Sequence, residues 1–320
     1  IFIIALLFGS ILSFFLSSCN TTSSERKETP DWANWPKIEQ TKEQFDEKNA
    51  LCEIRKKCTD ENCADRKEIQ KIMVNRELYP EIAQKRSDKI LERISSRIRE
   101  LLKPHDEFFG RYPADWDEMN KLADFLYEEK FPEEALSYWE KAVKIKPNSD
   151  EIHGNIAVVC SHNGRTIDSI DHLRTAIELN PDEPVYHFNL ATLYSVCRYD
   201  ISEREGTPLP ELFWKSQAEY ERAFELDPEN YEYGTNCFLN YLFAKYFEVK
   251  ETDELEFNAT KRCLEIKNLE PSQKAFILTN LGRISIRMGK NDQAKKYLEQ
   301  SLVASETPVA KNLLQQIQKQ

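Results

Sequence analysis

Three closely spaced cysteines are the densest group of chemically reactive side chains in the sequence. Cys52, Cys58 and Cys63 follow the pattern Cys-x5-Cys-x4-Cys around the polar stretch 59–62. A thiolate can form a disulfide, bind a metal ion or act as a nucleophile. In an exported protein this pattern favours a disulfide across a turn between two helices, with Cys58 and Cys63 as the most symmetric pair. Free thiols are the second interpretation, and zinc is the least favoured because the nearest histidine is His105.

Four further cysteines fall at positions that we expect to face helix cores: Cys160, Cys197, Cys237 and Cys263. A thiol packs there as a small apolar group. Cys237 and Cys263 fall on helices that should face each other, so a bridge between them stays open.

Two histidines, His153 and His187, are separated by 34 residues and occupy the same position in two similar segments. A shared metal ion would need further ligands, because adjacent helices lie about 8–10 Å apart. We therefore predict that both rings pack in the core with one hydrogen bond each. His162 and His172 cannot be assigned to a catalytic triad or pair, and no HExxH motif is present. The sequence thus predicts no catalytic residue, no metal site and no cofactor.

The segment 85–103 is basic within an acidic chain. Its cations are Arg86, Lys89, Arg93, Arg97, Arg99 and Lys103. Apolar residues recur in it at helical spacing, namely Ile90, Ile94, Ile98 and Leu101. We favour a solvated helix face whose apolar stripe points inward, with a patch for a membrane or an anionic partner as the alternative.

The composition disfavours nucleic-acid binding and excludes two kinds of nucleotide-binding motif. The chain has 320 residues, with 44 Lys and Arg against 55 Asp and Glu and a net charge of -11. This balance disfavours a protein that tracks the phosphates of a nucleic acid. Only eight glycines occur, and the closest two, Gly282 and Gly289, are seven residues apart. Phosphate-binding loops and dinucleotide-binding fingerprints need clustered glycines, so neither is present.

The elements that position these residues follow a 34-residue period. The recurring pairs are Leu122-Ala123, Ile156-Ala157 and Leu190-Ala191, with Ala142 and Ala176, and Pro147 and Pro181, at the same interval. This pattern resembles the tetratricopeptide repeat (TPR), a helix, turn and helix closed by proline. The resemblance implies an all-α, right-handed TPR solenoid. Its small residues let the two helices of a repeat approach closely, and its prolines end the second helix.

Five repeats are predicted, at 116–149, 150–183, 184–230, 231–274 and 275–308, followed by a C-terminal capping helix at 309–320. In the third repeat we expect the insertion between Tyr199 and Leu212 to form a longer loop. Gly164 and Gly289 fall on the turn between helices A and B, where a left-handed residue is favoured.

The segment 37–104 precedes the repeats and lacks their small-residue positions. We predict that it forms an N-terminal helical subdomain that ends at Pro104 and either caps the first repeat or folds along the solenoid.

The TPR resemblance also implies a binding groove. In this family the second, fifth, ninth and twelfth positions of helix A line the concave surface. Carried across, the larger lining residues are Tyr127, Val185, Phe188, Leu239, Leu242, Phe276, Arg283 and Ile286. The groove starts acidic and becomes apolar toward the C-terminus, and we expect Arg283 to orient a carboxylate of the partner. Such an apolar lining must be covered, either by a partner or by the protein's own N-terminal helices or insertion.

The first residues indicate export. Ile1 to Phe15 are largely apolar and too short to span a bilayer comfortably, as in the apolar part of a signal peptide. No basic segment precedes them, and we expect the natural sequence to start upstream. Leu16-Ser17-Ser18-Cys19 resembles the lipobox of bacterial lipoproteins, which implies a signal peptide at 1–18 and a lipid anchor on Cys19. The polar segment 19–36 would then be a tether, and Asn20 in place of Asp favours the outer membrane.

These features predict a lipid-anchored scaffold on the periplasmic face of the outer membrane of a bacterium. It would bind a protein or peptide of the cell envelope through the TPR groove, without catalysis. One alternative is a hydrolase or a carbohydrate-binding protein that uses acidic residues of the groove, which needs two carboxylates about 5–9.5 Å apart. Another is a purely structural surface protein.

Overall fold

The chain is all-α in the part that its structure describes. The computed structural model describes residues 41–74 and 80–318, and no strand occurs among them. The helices are α1 (Lys42–Val74), α2 (Pro80–Arg111), α3 (Trp116–Glu128), α4 (Pro132–Ile145), α5 (Asp150–His162), α6 (Thr166–Leu179), α7 (Pro184–Val196), α8 (Arg198–Glu205), α9 (Leu209–Leu226), α10 (Tyr231–Leu239), α11 (Asp253–Arg262), α12 (Pro271–Arg287), α13 (Asn291–Ala304) and α14 (Pro308–Gln318). A 3₁₀ segment, Asn240–Phe247, continues α10, and a short one, Cys263–Glu265, follows α11. The predicted fold class, an array of helix-turn-helix pairs, is confirmed.

The helices fall into two compact units that divide between Lys146 and Pro147. In the first unit, α1 packs along α2 and α3 packs along α4. In the second unit the main pairs are α5 with α6, α7 with α9, and α12 with α13, and α14 packs on α13.

The helix α1 runs without interruption through 59–62, so the turn predicted there is wrong. Cys52, Cys58 and Cys63 therefore lie on one helix, and all three are free thiols. Residues five positions apart on an α-helix point about 140° away from each other, which keeps Cys58 and Cys63 from pairing. Residues 59–61 are exposed on this helix and Asn62 is buried, so the polar stretch does not mark a break.

Pro104 does not end α2, which continues to Arg111. The proline removes one backbone donor, but the residues after it hold the last turns against the core. His105 and Phe108 are fully buried, and His105 Nδ1 lies 2.8 Å from the carbonyl oxygen of Leu101. Tertiary packing thus outweighs the local preference of proline to stop a helix.

The basic segment is tied to α1 by ion pairs. Arg93 and Arg97 each lie 2.8 Å from a carboxylate oxygen of Asp65, and Arg97 lies 3.2 Å from Glu61. The apolar stripe of α2 is buried as predicted, with Ile90, Ile94, Ile98 and Leu101 each at most 4% exposed. The central basic residues of this segment therefore hold the helical hairpin together instead of forming a free patch.

Polar contacts also fix α1 against the first repeat. Arg55 pairs with the buried Glu118 of α3, and Asn62 donates to Glu129 at 2.7 Å. Lys48 lies 3.1 Å from Asp115, the residue that caps the N-terminus of α3. Buried charges are costly unless they are paired, so these contacts specify how the N-terminal helices and α3 fit together.

The turns inside the repeats use left-handed residues. Gly164 and Gly289 have φ angles of 71° and 72°, as predicted. In the first repeat, Lys130 adopts the same conformation at φ 70°, followed by Pro132 at the start of α4. A side chain at this position costs some strain, since only glycine adopts it freely.

The insertion in the third repeat is a helix, which corrects the predicted loop. Residues Arg198–Glu205 form α8, ended by Gly206 at φ 70°. Ile201 anchors α8 because its side chain is completely buried in the core of the second unit. The fourth repeat also departs from the pattern, since its first helix tightens into the 3₁₀ segment Asn240–Phe247.

Candidate functional site

The helix A faces of repeats three to five form a partly exposed apolar surface in the second unit. Its residues, which we call the helix A surface, are Val185, Phe188, Leu239, Leu242, Phe276 and Ile286. Phe276 is 40% exposed, and the other five are half-buried. Val185, Phe188 and Leu239 pack on the core with part of their surface. The most accessible apolar side chain among these predicted residues is therefore Phe276.

Aromatic contacts join the three helices that carry this surface. The ring centres of Phe188 in α7 and Tyr233 in α10 are 5.0 Å apart. Those of Phe238 in α10 and Phe276 in α12 are 6.1 Å apart. Ring separations of this size are those of packed aromatic pairs. These ring pairs thus link α7 to α10 and α10 to α12, the three helices that carry most of the helix A surface.

The polar lining positions of these repeats are turned into the structure. Thr192, Thr235 and Thr279 are each at most 9% exposed. The hydroxyl of Thr192 lies 3.2 Å from that of Tyr220, and the hydroxyl of Thr279 lies 2.8 Å from that of Ser301. Because these hydroxyls are satisfied internally, the accessible part of the surface is more apolar than the sequence positions alone indicate.

Arg283, which the sequence predicts to orient a carboxylate of a partner, lies beside a carboxylate of the chain itself. Its guanidinium lies 3.6 Å from Glu256, a carboxylate in α11 that is 1% exposed. Arg287 also pairs with Glu256, and it lies 2.7 Å from Asp253. Burial raises the pKa of Glu256 although Arg287 opposes it. The arginines therefore compensate a buried charge inside the unit.

Glu232, at a lining position in α10, has no such arginine partner, unlike Glu256. Its backbone N–H is capped by the side chain of Asn230 at 3.1 Å, but no basic side chain of the described residues forms an ion pair with its carboxylate. Burial raises the pKa of Glu232 to about 7. A half-buried carboxylate without a cation is a place where a cationic group of a partner would be stabilised.

Tyr127, also a predicted lining residue, belongs to the first unit. Its ring is half-buried and packs on Trp139, with ring centres 5.7 Å apart. We assign Tyr127 to the packing of α3 on α4.

The two histidines at equivalent positions pack in the core as predicted. The Nε2 atom of His153 lies 2.9 Å from the carbonyl oxygen of Pro147. The Nε2 atom of His187 lies 3.0 Å from the carbonyl oxygen of Pro181. The second nitrogen of His153 faces His172 at 2.8 Å, and that of His187 faces Glu219 at 2.6 Å. Each ring thus fixes helix A of its repeat to the proline six residues before it, which the sequence showed only as a shared position.

No disulfide joins the cysteines described in the second unit. Cys160, Cys237 and Cys263 are buried and Cys197 is half-buried, as expected for small core residues. Burial raises the pKa of Cys263 to about 12, so this thiol is a poor nucleophile at neutral pH. Among residues 41–74 and 80–318, no group of three or more His, Cys, Asp or Glu side chains has the arrangement of a metal site.

The predicted signal peptide, Cys19 and the tether 19–36 lie outside the described residues. Within the described ranges, none of the helices combines the length and the apolar character needed to cross a bilayer.

Comparison with known proteins identifies the repeat. Residues 277–306 match the model of the tetratricopeptide repeat family. The fold is that of TPR proteins. A solved structure of the C-terminal part of a TPR repeat-containing protein from Cytophaga hutchinsonii aligns with a TM-score of 0.53 at 12% identity. The alignment covers 83% of this chain and 99% of that one.

Two further solved structures are similar over shorter ranges. YrrB, described as a TPR protein with an unusual peptide-binding site, aligns with a TM-score of 0.48 at 14% identity, over 67% of this chain and 97% of that one. MamA aligns with a TM-score of 0.46 at 16% identity, over 59% of this chain and 91% of that one. No curated protein matches the sequence.

Proposed function

We propose that this protein is a lipid-anchored scaffold of the bacterial cell envelope that binds another protein through the helix A surface of repeats three to five, without catalysis of its own. The observation that carries the proposal is the half-buried apolar surface across three contacting helices, with Phe276 as its most exposed member. TPR-type arrays present extended surfaces formed by successive helices A, and such surfaces suit protein segments.

The energetics favour an apolar segment with a cationic group. Each Å² of apolar area removed from water contributes about 25 cal/mol, and large aromatic side chains at the centre of an interface commonly contribute most. Phe276 would therefore be the main apolar anchor, with Leu239 and Ile286 beside it in the sequence pattern of helix A. Glu232 would favour a lysine or arginine of the partner, because its carboxylate has no ion pair of its own among the described residues.

A charge placed at the anchor tests this surface. We expect Phe276→Asp to abolish co-purification of a stoichiometric partner with the tagged full chain from its native host, because an aspartate would be desolvated in the interface. Phe276 is 40% exposed, so the helical circular-dichroism signal and the melting temperature should change little.

Val303→Asp is the matched control, since Val303 lies in α13 of the same repeat and is 89% exposed. It introduces the same charge outside the helix A surface and should keep the partner. Loss of the partner in both variants, or in neither, would contradict the proposed surface.

Support for the lipid anchor comes from the sequence, where Leu16-Ser17-Ser18-Cys19 follows an apolar stretch. Only a cysteine at this place can carry the thioether lipid, so Cys19→Ala should remove labelling by an alkynyl fatty-acid probe and leave the precursor uncleaved. Cys52→Ala, which changes an exposed thiol elsewhere, should keep both the label and the processing. Labelling of the Cys19→Ala protein would refute the anchor.

The alternative of an acidic hydrolase has less support. It needs a carboxyl group with a raised pKa beside a second carboxylate. Burial alone raises the pKa of Glu232. Burial also raises the pKa values of Glu118 and Glu256, but both of these carboxyl groups are paired with arginines. Their environments are those of structural ion pairs, and the scaffold remains the function that the surface supports best.

A further inference from the structure

A surface outside the helix A surface combines exposed aromatic rings with two cations. Tyr199 in α8 is 58% exposed, and Tyr246 in the 3₁₀ segment is 42% exposed. The guanidinium of Arg198 lies 4.5 Å from the ring centre of Tyr199 and 5.7 Å from that of Tyr246. The ammonium of Lys245 lies 4.8 Å from the ring centre of Tyr246. We call these four residues the arginine–tyrosine surface.

Arg198 is held in place by contacts with the interior of the second unit. Its guanidinium lies 5.1 Å from the ring centre of Phe247, which is completely buried, and its Nη1 atom donates to the carbonyl oxygen of Ser195 at 2.9 Å. Its Nε atom is buried and has no hydrogen-bond partner in the part of the chain that is described. A guanidinium held between rings loses little further freedom when it binds a carboxylate, which favours binding.

The charges of this surface are not compensated within the described residues. Neither Arg198 nor Lys245 forms an ion pair with a carboxylate there, and Asp200, on the same helix as Arg198, pairs with Arg204 at 2.6 Å. The chain as a whole has a net charge of -11. Two neighbouring cations without acidic partners in so acidic a protein are complementary to a ligand that brings its own carboxylates.

We propose that the arginine–tyrosine surface binds an acidic segment of a partner protein, with carboxylates on Arg198 and Lys245 and an apolar part of the segment on the rings of Tyr199 and Tyr246. A nucleic acid fits less well, because its affinity comes from many phosphate contacts and the acidic remainder of the chain repels them. The four residues are not members of the helix A surface, so the scaffold would hold a second partner here.

Selection from a random dodecapeptide display library tests the proposal directly, because the library contains acidic and non-acidic segments alike. The full chain is compared with the variant Tyr199→Ala/Lys245→Glu, in which Arg198 and its packing on Phe247 are kept. Lys261→Glu is the control, because Lys261 is exposed in α11 and the substitution changes the net charge by the same amount.

We expect a set of clones that bind the wild type and the Lys261→Glu control but not the double variant, and that are enriched in Asp and Glu. A synthetic peptide from this set should bind at least tenfold more weakly when its carboxylates are replaced by amides, as measured by fluorescence anisotropy. The proposal is overturned if no clone distinguishes the double variant from the control, or if the distinguishing clones lack acidic residues. It is also overturned if a single-stranded oligonucleotide binds the wild type more tightly than the selected peptides and loses that binding in the double variant.

Discussion

His153 and His187 occupy the same position in consecutive repeats but face different partners. Both partners of His187 are acceptors, the carbonyl oxygen of Pro181 and the carboxylate of Glu219, so its ring is best satisfied when both nitrogens carry protons. Burial lowers the pKa of His187, but the hydrogen bonds to Glu219 and Pro181 outweigh it and raise the pKa overall. Two ring nitrogens face each other between His153 and His172, and burial followed by the charge of His153 lowers the pKa of His172.

These contacts predict a pH-dependent role for His187. Because its pKa is raised in the folded state, its contribution is fully present below the unfolded pKa of about 6.5 and is lost as the pH rises through the folded value. We expect His187→Gln to lower the free energy of unfolding by about 1–3 kcal/mol at pH 5.5 and by clearly less at pH 8.5. Urea unfolding of the full chain, followed by circular dichroism, measures both values.

The control for this prediction is His153→Gln, which changes the equivalent position without a carboxylate partner. An equal effect of His187→Gln at the two pH values would show that the ion pair with Glu219 does not contribute.

At the scale of the element, close helix packing depends on small residues at the crossing of helices A and B. A Cβ atom on Gly282 in α12 would lie 2.6 Å from two side-chain carbons of Leu298 in α13. Leu298 is completely buried, so its side chain has little room to move away. The close approach of Leu298 therefore leaves no room for a side chain at position 282.

We therefore predict that Gly282→Ala destabilises the protein by about 1–3 kcal/mol through overpacking. Gly110→Ala is the matched control, because Gly110 lies near the end of α2 and no atom comes within 4 Å of an added Cβ. It should cause no loss of stability, since alanine is the better helix former. Thermal unfolding of both variants gives the comparison, and an unchanged melting temperature for Gly282→Ala would contradict the packing argument.

The helix pairs could be predicted from the sequence because the 34-residue period, the glycine turns and the closing prolines are local patterns. Features that depend on tertiary packing could not. The helix α8 forms in a segment with two prolines nearby because Ile201 is buried, and α2 passes Pro104 because His105 and Phe108 are buried. Neither burial is visible in a local pattern.

The candidate site likewise combines features that local sequence patterns predict with features that depend on tertiary packing. The spacing of helix A placed Phe276 and Leu239 on one surface, whose apolar character the structure retains. It could not show that Arg283 lies against Glu256, since Glu256 comes from an irregular repeat that departs from the family pattern. Likewise, Arg198 and Tyr246 are 48 positions apart in the sequence, and only the fold brings them together.

At the scale of the whole molecule, the proposed scaffold combines a membrane anchor, a helical array and a binding surface in its second unit. Its central proposal is that the helix A surface, and Phe276 above all, contacts another protein.

Site-specific photo-crosslinking tests that contact most directly. The full chain is produced in its native host with p-benzoyl-phenylalanine at position 276, or at position 303 as the control, and is irradiated. Phe276 is an exposed aromatic residue that the probe replaces with little change in shape, and Val303 is more exposed but lies outside the surface. We expect one discrete adduct of higher mass from position 276 and none from position 303. Equal crosslinking from both positions, or none from position 276, would contradict the proposed contact.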